Sequence, residues 1–215
     1  MGQKVSPVGL RLGVHRAWAS RWFGGAKYPA FLKDDLAIRT FLEARLKNMG
    51  VDSVRIERGN NALRVTINSA RPGLIIGRGG MGIQDLQQRL IKLLGGRAPL
   101  QLEVVEVRNP DSSAAVVAEY LVDQIEKRTP YRRLMRMSMA KIMASRDVKG
   151  AKIQLSGRLD GAEIARLEHL EQGALPLQTI RADVDFVRAT AKTTYGTVGV
   201  KVWIYKGEVF DTEEK

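Results

Sequence analysis

The sequence predicts an α+β protein of two folded regions, preceded by a basic segment. Three observations support this fold class. First, 44% of the residues are apolar, which is enough to form hydrophobic cores. Second, helical spacing and strict apolar–polar alternation each appear in separate segments, and two helical segments follow one another directly. Third, Asn109-Pro110-Asp111 is typical of a helix start, because asparagine can cap a helix and proline suits its first turn. A domain boundary is therefore expected there.

We divide the chain into four segments: a basic arm at 1–33, a first domain at 34–107, a second α+β domain at 108–207 and an acidic, frayed tail at 208–215. In the first domain, the acids Asp34 and Asp35 favour a helix start. Apolar residues at helical spacing then continue to Gly50. Alternation predicts two strands around 54–57 and 63–68, joined by a turn at 59–61. The first domain is completed by a short apolar run at 74–76, a glycine loop, a helix ending at Gly95-Gly96 and a strand at 100–107.

In the second domain, helical spacing predicts one helix over about 114–125 and another over about 131–145, separated by Pro130. A strand around Ile153 and Leu155 follows, and then a short helix near 162–169. Alternation predicts a hairpin of strands at 182–194 and 197–205, turning at Tyr195-Gly196. The second domain is therefore two helices and then a mostly antiparallel sheet with a short helix.

Positive charge is concentrated in the first half of the chain. The net charge is +12, and residues 1–107 hold 17 Lys+Arg against 8 Asp+Glu, net +9. The arm before Asp34 contains no acid, and its basic and aromatic residues are interleaved: Lys4, Arg11, Arg16, Arg21, Lys27 and Lys33 with Trp18, Trp22, Phe23, Tyr28 and Phe31. Cations neutralise phosphates and rings stack on unpaired bases. The arm is expected to contact RNA and to become ordered on it. The alternative is a solvated arm whose rings pack on its own domain.

The loop Gly77-Arg78-Gly79-Gly80 has two possible interpretations. With Gly82 it spells the G-x-G-x-x-G of a dinucleotide site. That site requires a buried strand directly before the first glycine and continued strand–helix alternation, and the sequence predicts neither. The order helix, strand, strand, short helix, glycine loop, helix, strand instead resembles a type II KH domain, whose loop lets single-stranded nucleic acid approach the backbone. Arg78 supplies one cation, whereas Gly79 leaves the second middle position neutral. A tight interhelical turn without a ligand remains the alternative.

A second basic surface is predicted between Lys127 and Arg146, which hold seven basic residues and no acid between them. At 100° per residue, Arg132, Arg133 and Arg136 share one face of a helix, and an apolar stripe lies beside it. Methionines in that stripe are interpreted as core residues. The cationic face can meet a polyanion, although a merely solvated face is the alternative.

No catalytic or metal-binding pattern is present in the sequence. The chain has no cysteine, and His15 and His169 stand alone, so neither disulfides, nor a metal, nor a cofactor is expected. Asp183 and Asp185 lie on one strand, which is typical of a solvated or salt-bridged face rather than of an acid/base pair. The longest uncharged stretch, 172–180, is far shorter than the roughly 18 apolar residues of a membrane span. We predict no enzyme and no membrane protein.

Five separated motifs in one order resemble the bacterial-type family of the third protein of the small ribosomal subunit. They are Met1-Gly2-Gln3-Lys4-Val5 with Pro7 and 9–13, Ala70-Arg71-Pro72-Gly73 with the glycine loop, Tyr131-Arg132-Arg133, the run 156–166, and Thr193-Thr194-Tyr195-Gly196 with 200–204. Ser6, Gly79 and the acidic residues from Glu208 onward depart from the family pattern.

The resemblance implies a protein of the small-subunit head that binds small-subunit ribosomal RNA beside the tenth and fourteenth small-subunit proteins. It also implies that the chain lines, with the fourth and fifth proteins, the channel through which messenger RNA enters. In this family, basic residues at the positions of Arg132, Arg133 and Arg136 are implicated in unwinding structured messenger without nucleotide hydrolysis. The location implied is a cytoplasmic ribosome, or an organelle stroma for an organelle gene, and no homo-oligomer is expected.

Candidate RNA-binding residues come from the arm, the glycine loop, the basic helix and the run 156–166: Lys4, Arg11, Arg16 and Trp22; Gly77, Arg78, Gly79 and Gly80; Arg132, Arg133, Arg136 and Lys141; Arg158 and Arg166. Two other functions stay open at this point, a free KH-type regulator of messenger RNA and, more remotely, a nucleotide-dependent enzyme. Co-sedimentation with small ribosomal subunits would separate them from a ribosomal protein.

Overall fold

The computed structural model describes residues 4–59, 62–95 and 99–210. The chain divides into two compact units, which we call the KH unit and the C-terminal unit. The KH unit is Trp18–Arg108, and the C-terminal unit combines the residues before Trp18 with those from Asn109 onward. Parts of three predicted features, the turn at 59–61, the helix end at Gly95-Gly96 and the tail at 208–215, lie outside the described residues.

The KH unit forms a four-stranded sheet with three helices. Its elements in chain order are β1 (Ser20–Arg21), α2 (Tyr28–Arg45), β2 (Val51–Arg58), β3 (Leu63–Ser69), α3 (Pro72–Ile76), α4 (Met81–Leu93) and β4 (Leu100–Glu106), and α1 (Pro7–Leu10) precedes them in the other unit. The sheet order is β1-β2-β3-β4, with β3 antiparallel to β2 and parallel to β4. Buried residues from all three helices and from β2, β3 and β4 form one core. The predicted element order is confirmed from α2 to β4, whereas β1 was not predicted.

Helix α2 begins earlier than the sequence patterns indicate. The prediction took Asp34 and Asp35 as the first turn, but the helix starts at Tyr28, and Pro29 lies in its first turn. Asp35 therefore lies inside the helix and is buried, with 3% of its surface exposed. Because a buried carboxylate needs partners, its position suggests a structural role rather than a role at a helix end.

The C-terminal unit packs two helices against one face of an antiparallel sheet. Its elements are α5 (Ala114–Glu126), α6 (Tyr131–Ala144), β5 (Gly150–Gly157), β6 (Arg166–Gly173), β7 (Ala182–Thr193) and β8 (Gly196–Glu208), and the sheet order is β6-β5-β8-β7. Buried side chains of α5, α6, β5, β7 and β8 form the core. The predicted α+β class and the predicted hairpin, now β7 and β8, are confirmed.

The prediction of a short helix near 162–169 is wrong. Only Leu159–Gly161 form a short 3-10 turn, and the residues from Arg166 form strand β6. This strand pairs along its whole length with β5, from Gly157 opposite Arg166 to Gly150 opposite Gly173. The backbone hydrogen bonds of that ladder outweigh the local helical preference of alanine, glutamate and leucine. Among the described residues, no helix is both long and apolar enough to cross a membrane.

Candidate RNA interface

Helix α6 separates a buried apolar face from an exposed cationic one. Leu134, Met135, Met139 and Ile142 are buried in the core of the C-terminal unit. Arg132, Arg133, Arg136 and Lys141 are exposed on the remaining surface of the helix. The predicted arrangement of an apolar stripe beside a cationic face is therefore present. Met135 and Met139 are core residues, as predicted, and Met143 packs against the same core.

Contacts with two tyrosines hold part of this cationic face in place. The Nε of Arg132 donates to the hydroxyl of Tyr131 at 3.1 Å, and its guanidinium lies 5.7 Å from the centre of that ring. This hydrogen bond raises the pKa of Arg132 above its ordinary value. The Nζ of Lys141 lies 5.1 Å from the centre of the Tyr120 ring. Cations above ring faces are favourable, and these contacts orient the face while leaving it open to solvent.

The glycine loop connects α3 to α4 by a tight reversal of the backbone. Gly77, Gly79 and Gly80 have positive φ angles of 70°, 62° and 78°, a region that side chains with a Cβ rarely occupy. A Cβ at Gly82 would lie 2.5 Å from the carbonyl oxygen of Ile75, so α3 and α4 meet backbone to backbone there. Arg78 is exposed at the tip. The loop thus presents open backbone and one cation.

Arg11 lies in the interior, which corrects the expectation that it faces RNA. Its side chain is 0% exposed. Its Nε donates to the carbonyl of Ala182 at 2.5 Å, and its Nη1 donates to that of Pro7 at 2.9 Å. Its Nη2 donates to three further carbonyls, of which Thr179 is nearest at 2.8 Å. Burial lowers the pKa of Arg11 from its ordinary value, while Asp183 opposes this shift. Arg11 therefore joins α1 to the segment before β7.

Arg16 and Trp22 are also engaged within the protein. The Nη2 of Arg16 lies 2.7 Å from Oδ1 of Asp185, and Oδ2 of Asp185 accepts the first backbone N–H of α5, that of Ala114, at 2.9 Å. The Nε1 of Trp22 donates to Oδ2 of Asp35 at 2.8 Å. These contacts engage Arg16 and Trp22 in part, and the binding of the arm to RNA stays a prediction. In the described part of the arm, Arg11, Arg16 and Trp22 have partners within the protein, whereas Trp18 and Phe23 are exposed.

The remaining candidates differ in exposure. Lys4 and Arg166 are exposed. Arg158 is half-buried, and its guanidinium donates to the carbonyls of Ala162 at 2.9 Å and of Tyr195 at 3.3 Å. In the arm, the open rings are those of Trp18, Phe23 and Tyr28, which are 65%, 95% and 55% exposed. Sequence reasoning noted these rings but selected Trp22, because spacing alone does not show which ring finds a partner.

A KH fold with an open glycine loop, joined to a domain with a cationic helix face, defines an RNA-binding protein of the KH class. Two family profiles match the chain, the KH domain over residues 37–112 and the ribosomal protein S3 C-terminal domain over residues 121–204. The chain belongs to the family of the small ribosomal subunit protein uS3. Members of this family are structural, RNA-binding ribosomal components, and the chain is not an enzyme.

Bacterial relatives match the chain along almost its full length. The uS3 protein of Synechocystis sp. is 47% identical over 215 residues, covering 100% of this chain and 89% of the relative. That of Rhodospirillum centenum is 48% identical over 209 residues, covering 97% and 92%. That of Bacillus cytotoxicus is 46% identical over 215 residues, covering 100% and 97%.

Within the described residues, no group of three acids or histidines is arranged to hold a metal ion.

Proposed function

We propose that this chain lines the channel through which messenger RNA enters the small subunit, and that the cationic face of α6 assists the unwinding of structured messenger. The same proposal places the chain in the subunit head on small-subunit ribosomal RNA. Its neighbours there are the tenth and fourteenth proteins, with the fourth and fifth at the channel. The observation that carries the proposal is the exposure of Arg132, Arg133 and Arg136 on one face of α6.

The electrostatics of this face suit a passing RNA strand. The α6 segment from Tyr131 to Ala144 contains four cations and no acid. Clustered positive charge raises the local concentration of phosphate and can hold the backbone of a passing strand. Because the buried face of α6 is anchored in the core, the arginines are held on a rigid element. A rigid cationic surface can act on a moving messenger without nucleotide hydrolysis by the protein.

The KH unit contributes a second RNA contact to the proposed function. The exposed backbone of Gly77–Gly80 can approach single-stranded RNA closely, and Arg78 can meet a phosphate. Gly79 supplies no second cation, so we assign the loop a positioning role and the α6 face the larger electrostatic effect. The open rings of Trp18 and Phe23 offer stacking surfaces in the same unit.

The proposal is tested by replacing Arg132, Arg133 and Arg136 together with alanine in reconstituted small subunits. Translation through a messenger hairpin should slow by roughly three- to tenfold because the local potential is lost. Translation of an unstructured messenger should be nearly unchanged. The free energy of unfolding should change by less than about 0.5 kcal/mol per site, since these side chains are exposed. Paired templates differing only in the hairpin provide the measurement.

A triple arginine-to-lysine variant is the matched control, because it keeps the charge and loses only the planar fork of each guanidinium. It should retain most of the hairpin translation. Equal slowing on both templates, or failure of the alanine variant to join small subunits, would show that the cationic face anchors ribosomal RNA instead.

A further inference from the structure

A cleft of about 460 Å³ opens within the C-terminal unit. It lies between the last turn of α5, the first turn of α6, the Leu159–Gly161 turn and the hairpin end of β7 and β8. Its volume falls within the roughly 300–1,000 Å³ of clefts that bind small ligands. Arg132, Arg133 and Arg136 do not line this cleft. The cleft is therefore distinct from the cationic face of α6.

The walls of the cleft combine cations with aromatic rings. Arg128, Arg158 and Lys192 contribute positive charge, and Tyr131 and Tyr195 contribute rings. The guanidinium of Arg158 lies 6.0 Å from the centre of the Tyr195 ring and donates to the backbone carbonyl of Tyr195. Tyr195 is 52% exposed, so part of its ring is available to a ligand. Cations beside open rings are the combination that binds the phosphate and the base of an unpaired nucleotide.

Two acids in the lining hold the walls together. Oδ1 of Asp160 accepts the backbone N–H of Tyr131 at 3.3 Å, which fixes the start of α6. Oε1 of Glu126 accepts the backbone N–H of Lys192 at 3.1 Å, which joins α5 to β7. Against three cations, these two carboxylates leave the lining with a net positive charge. Both are tied to backbone amides, so the cleft stays preorganised and remains attractive to an anion.

Backbone strain is concentrated in the same cleft. Three non-glycine residues have positive φ angles in the described part of the chain, and two of them, Arg128 at 62° and Asp160 at 51°, line the cleft. At Arg128 this conformation ends α5, since the backbone N–H groups of Arg128 and Thr129 donate to the carbonyls of Ile125 and Gln124. At Asp160 it belongs to the short 3-10 turn. A Cβ on Gly161 would lie 3.1 Å from the Tyr195 ring, so this ring rests directly against the turn.

We propose that this cleft binds a single unstacked RNA nucleotide, with its phosphate at Arg128 and Lys192 and its base against the ring of Tyr195. The inference rests on the proposed function, because it requires that the C-terminal unit contacts RNA. It adds a specific nucleotide site to that unit. A nucleotide of ribosomal RNA and one of messenger RNA share this chemistry. The experiment therefore has to identify which RNA occupies the cleft.

The test uses the full chain and a short single-stranded RNA that carries one 4-thiouridine, which is cross-linked by light and mapped by mass spectrometry. Cross-links should fall on Tyr131 or Tyr195. Tyr195→Ala should lower the yield by about tenfold through loss of stacking, whereas Tyr195→Phe, which keeps the ring, should not. Cross-links confined to residues outside the cleft would overturn the proposal.

Arg128→Gly separates binding from folding. Glycine occupies positive φ without strain, so the thermal unfolding midpoint should stay the same or rise while the cross-linking yield falls severalfold. Arg188→Gln is the matched control, because Arg188 is a cation of β7 outside the cleft, with its guanidinium 5.6 Å from the Phe186 ring. Equal yields from Arg128→Gly, Tyr195→Ala and Arg188→Gln would overturn the nucleotide site.

Small subunits assembled with 4-thiouridine either in the ribosomal RNA or in a bound messenger identify the occupant. A cross-link from the cleft to one of the two supports the site and names its source, and a cross-link to neither in assembled subunits overturns it. The hairpin assay stays independent. If the triple alanine variant translates the hairpin messenger at the normal rate, the proposed function alone is overturned. If cross-linking is unchanged in the cleft variants, the nucleotide site alone is overturned.

Discussion

At the scale of the residue, Asp35 shows how a charge becomes part of the interior. Its Oδ1 lies 2.7 Å from Nη2 of Arg58, and its Oδ2 accepts the indole N–H of Trp22 at 2.8 Å. The guanidinium of Arg58 also lies 4.7 Å from the centre of the Phe31 ring. Asp35 lies on α2, Arg58 on β2 and Trp22 in the segment before α2. One carboxylate therefore joins three parts of the KH unit.

Replacing Asp35 with alanine should lower the free energy of unfolding by about 3 kcal/mol, because the largely buried guanidinium of Arg58 would lose its main partner. Urea denaturation of the purified chain measures the change. Glu43→Ala, at an exposed position of the same helix, is the control and should change the free energy by less than about 0.5 kcal/mol. A loss below about 1 kcal/mol for Asp35→Ala would mean that Asp34, 3.5 Å from Nη1 of Arg58, replaces it.

At the scale of the element, the junction of α3 and α4 depends on the absence of a side chain. Gly82 lies in the first turn of α4, and a Cβ there would meet the carbonyls of Ile75 and Ile76 at 2.5 and 2.9 Å. Backbone carbonyls cannot rotate away as flexible side chains can. The close approach holds the two helices in the geometry that exposes the glycine loop.

Gly82→Ala should lower the free energy of unfolding by about 1–3 kcal/mol through overpacking, and should weaken binding of single-stranded RNA by opening the junction. Gly73→Ala is the matched control, since Gly73 lies in α3 and a Cβ there would meet nothing within 4 Å. That change should stabilise the unit by about 0.5–1 kcal/mol, because alanine favours a helix. Opposite signs for the two variants are the result that supports the close approach.

The same scale shows what could be predicted from the sequence. Periodic apolar residues correctly predicted α4, α5, α6 and the hairpin of β7 and β8, because each element buries one regular face. Strand β6 was missed because its edge position leaves most of its side chains exposed, so no alternation is imposed. The cationic face of α6 was predictable from helical geometry. The burial of Arg11 was not, since its carbonyl partners lie up to 171 residues away.

At the scale of the whole molecule, charge is expected to dominate the interaction with RNA. The chain carries a net charge of +12, and its exposed rings are few. Binding of the isolated chain to structured RNA should therefore be driven by counterion release. Its affinity should fall at least about a hundredfold between about 50 and 200 mM salt. A salt titration followed by fluorescence anisotropy measures this.

The triple alanine variant at Arg132, Arg133 and Arg136 provides the internal comparison for that titration. For every phosphate that the variant no longer binds, the slope of log affinity against log salt should become shallower by about 1. A slope unchanged from that of the parent chain would show that these arginines do not meet phosphate in the isolated protein. Binding independent of salt in the parent chain would contradict the electrostatic account altogether.

The buried position of Arg11 also sets an order of events during synthesis. The guanidinium of Arg11 is bound by carbonyls of residues 176–182, so the C-terminal unit draws on both early and late parts of the chain. At roughly 5–20 residues per second, about 10–30 s separate the emergence of the arginine from that of its partner Ala182. Within that interval, once Arg108 has emerged, the KH unit can fold as a continuous segment. Until those late residues emerge, Arg11 and Arg16 lack the partners that residues 176–185 supply to them in the folded chain.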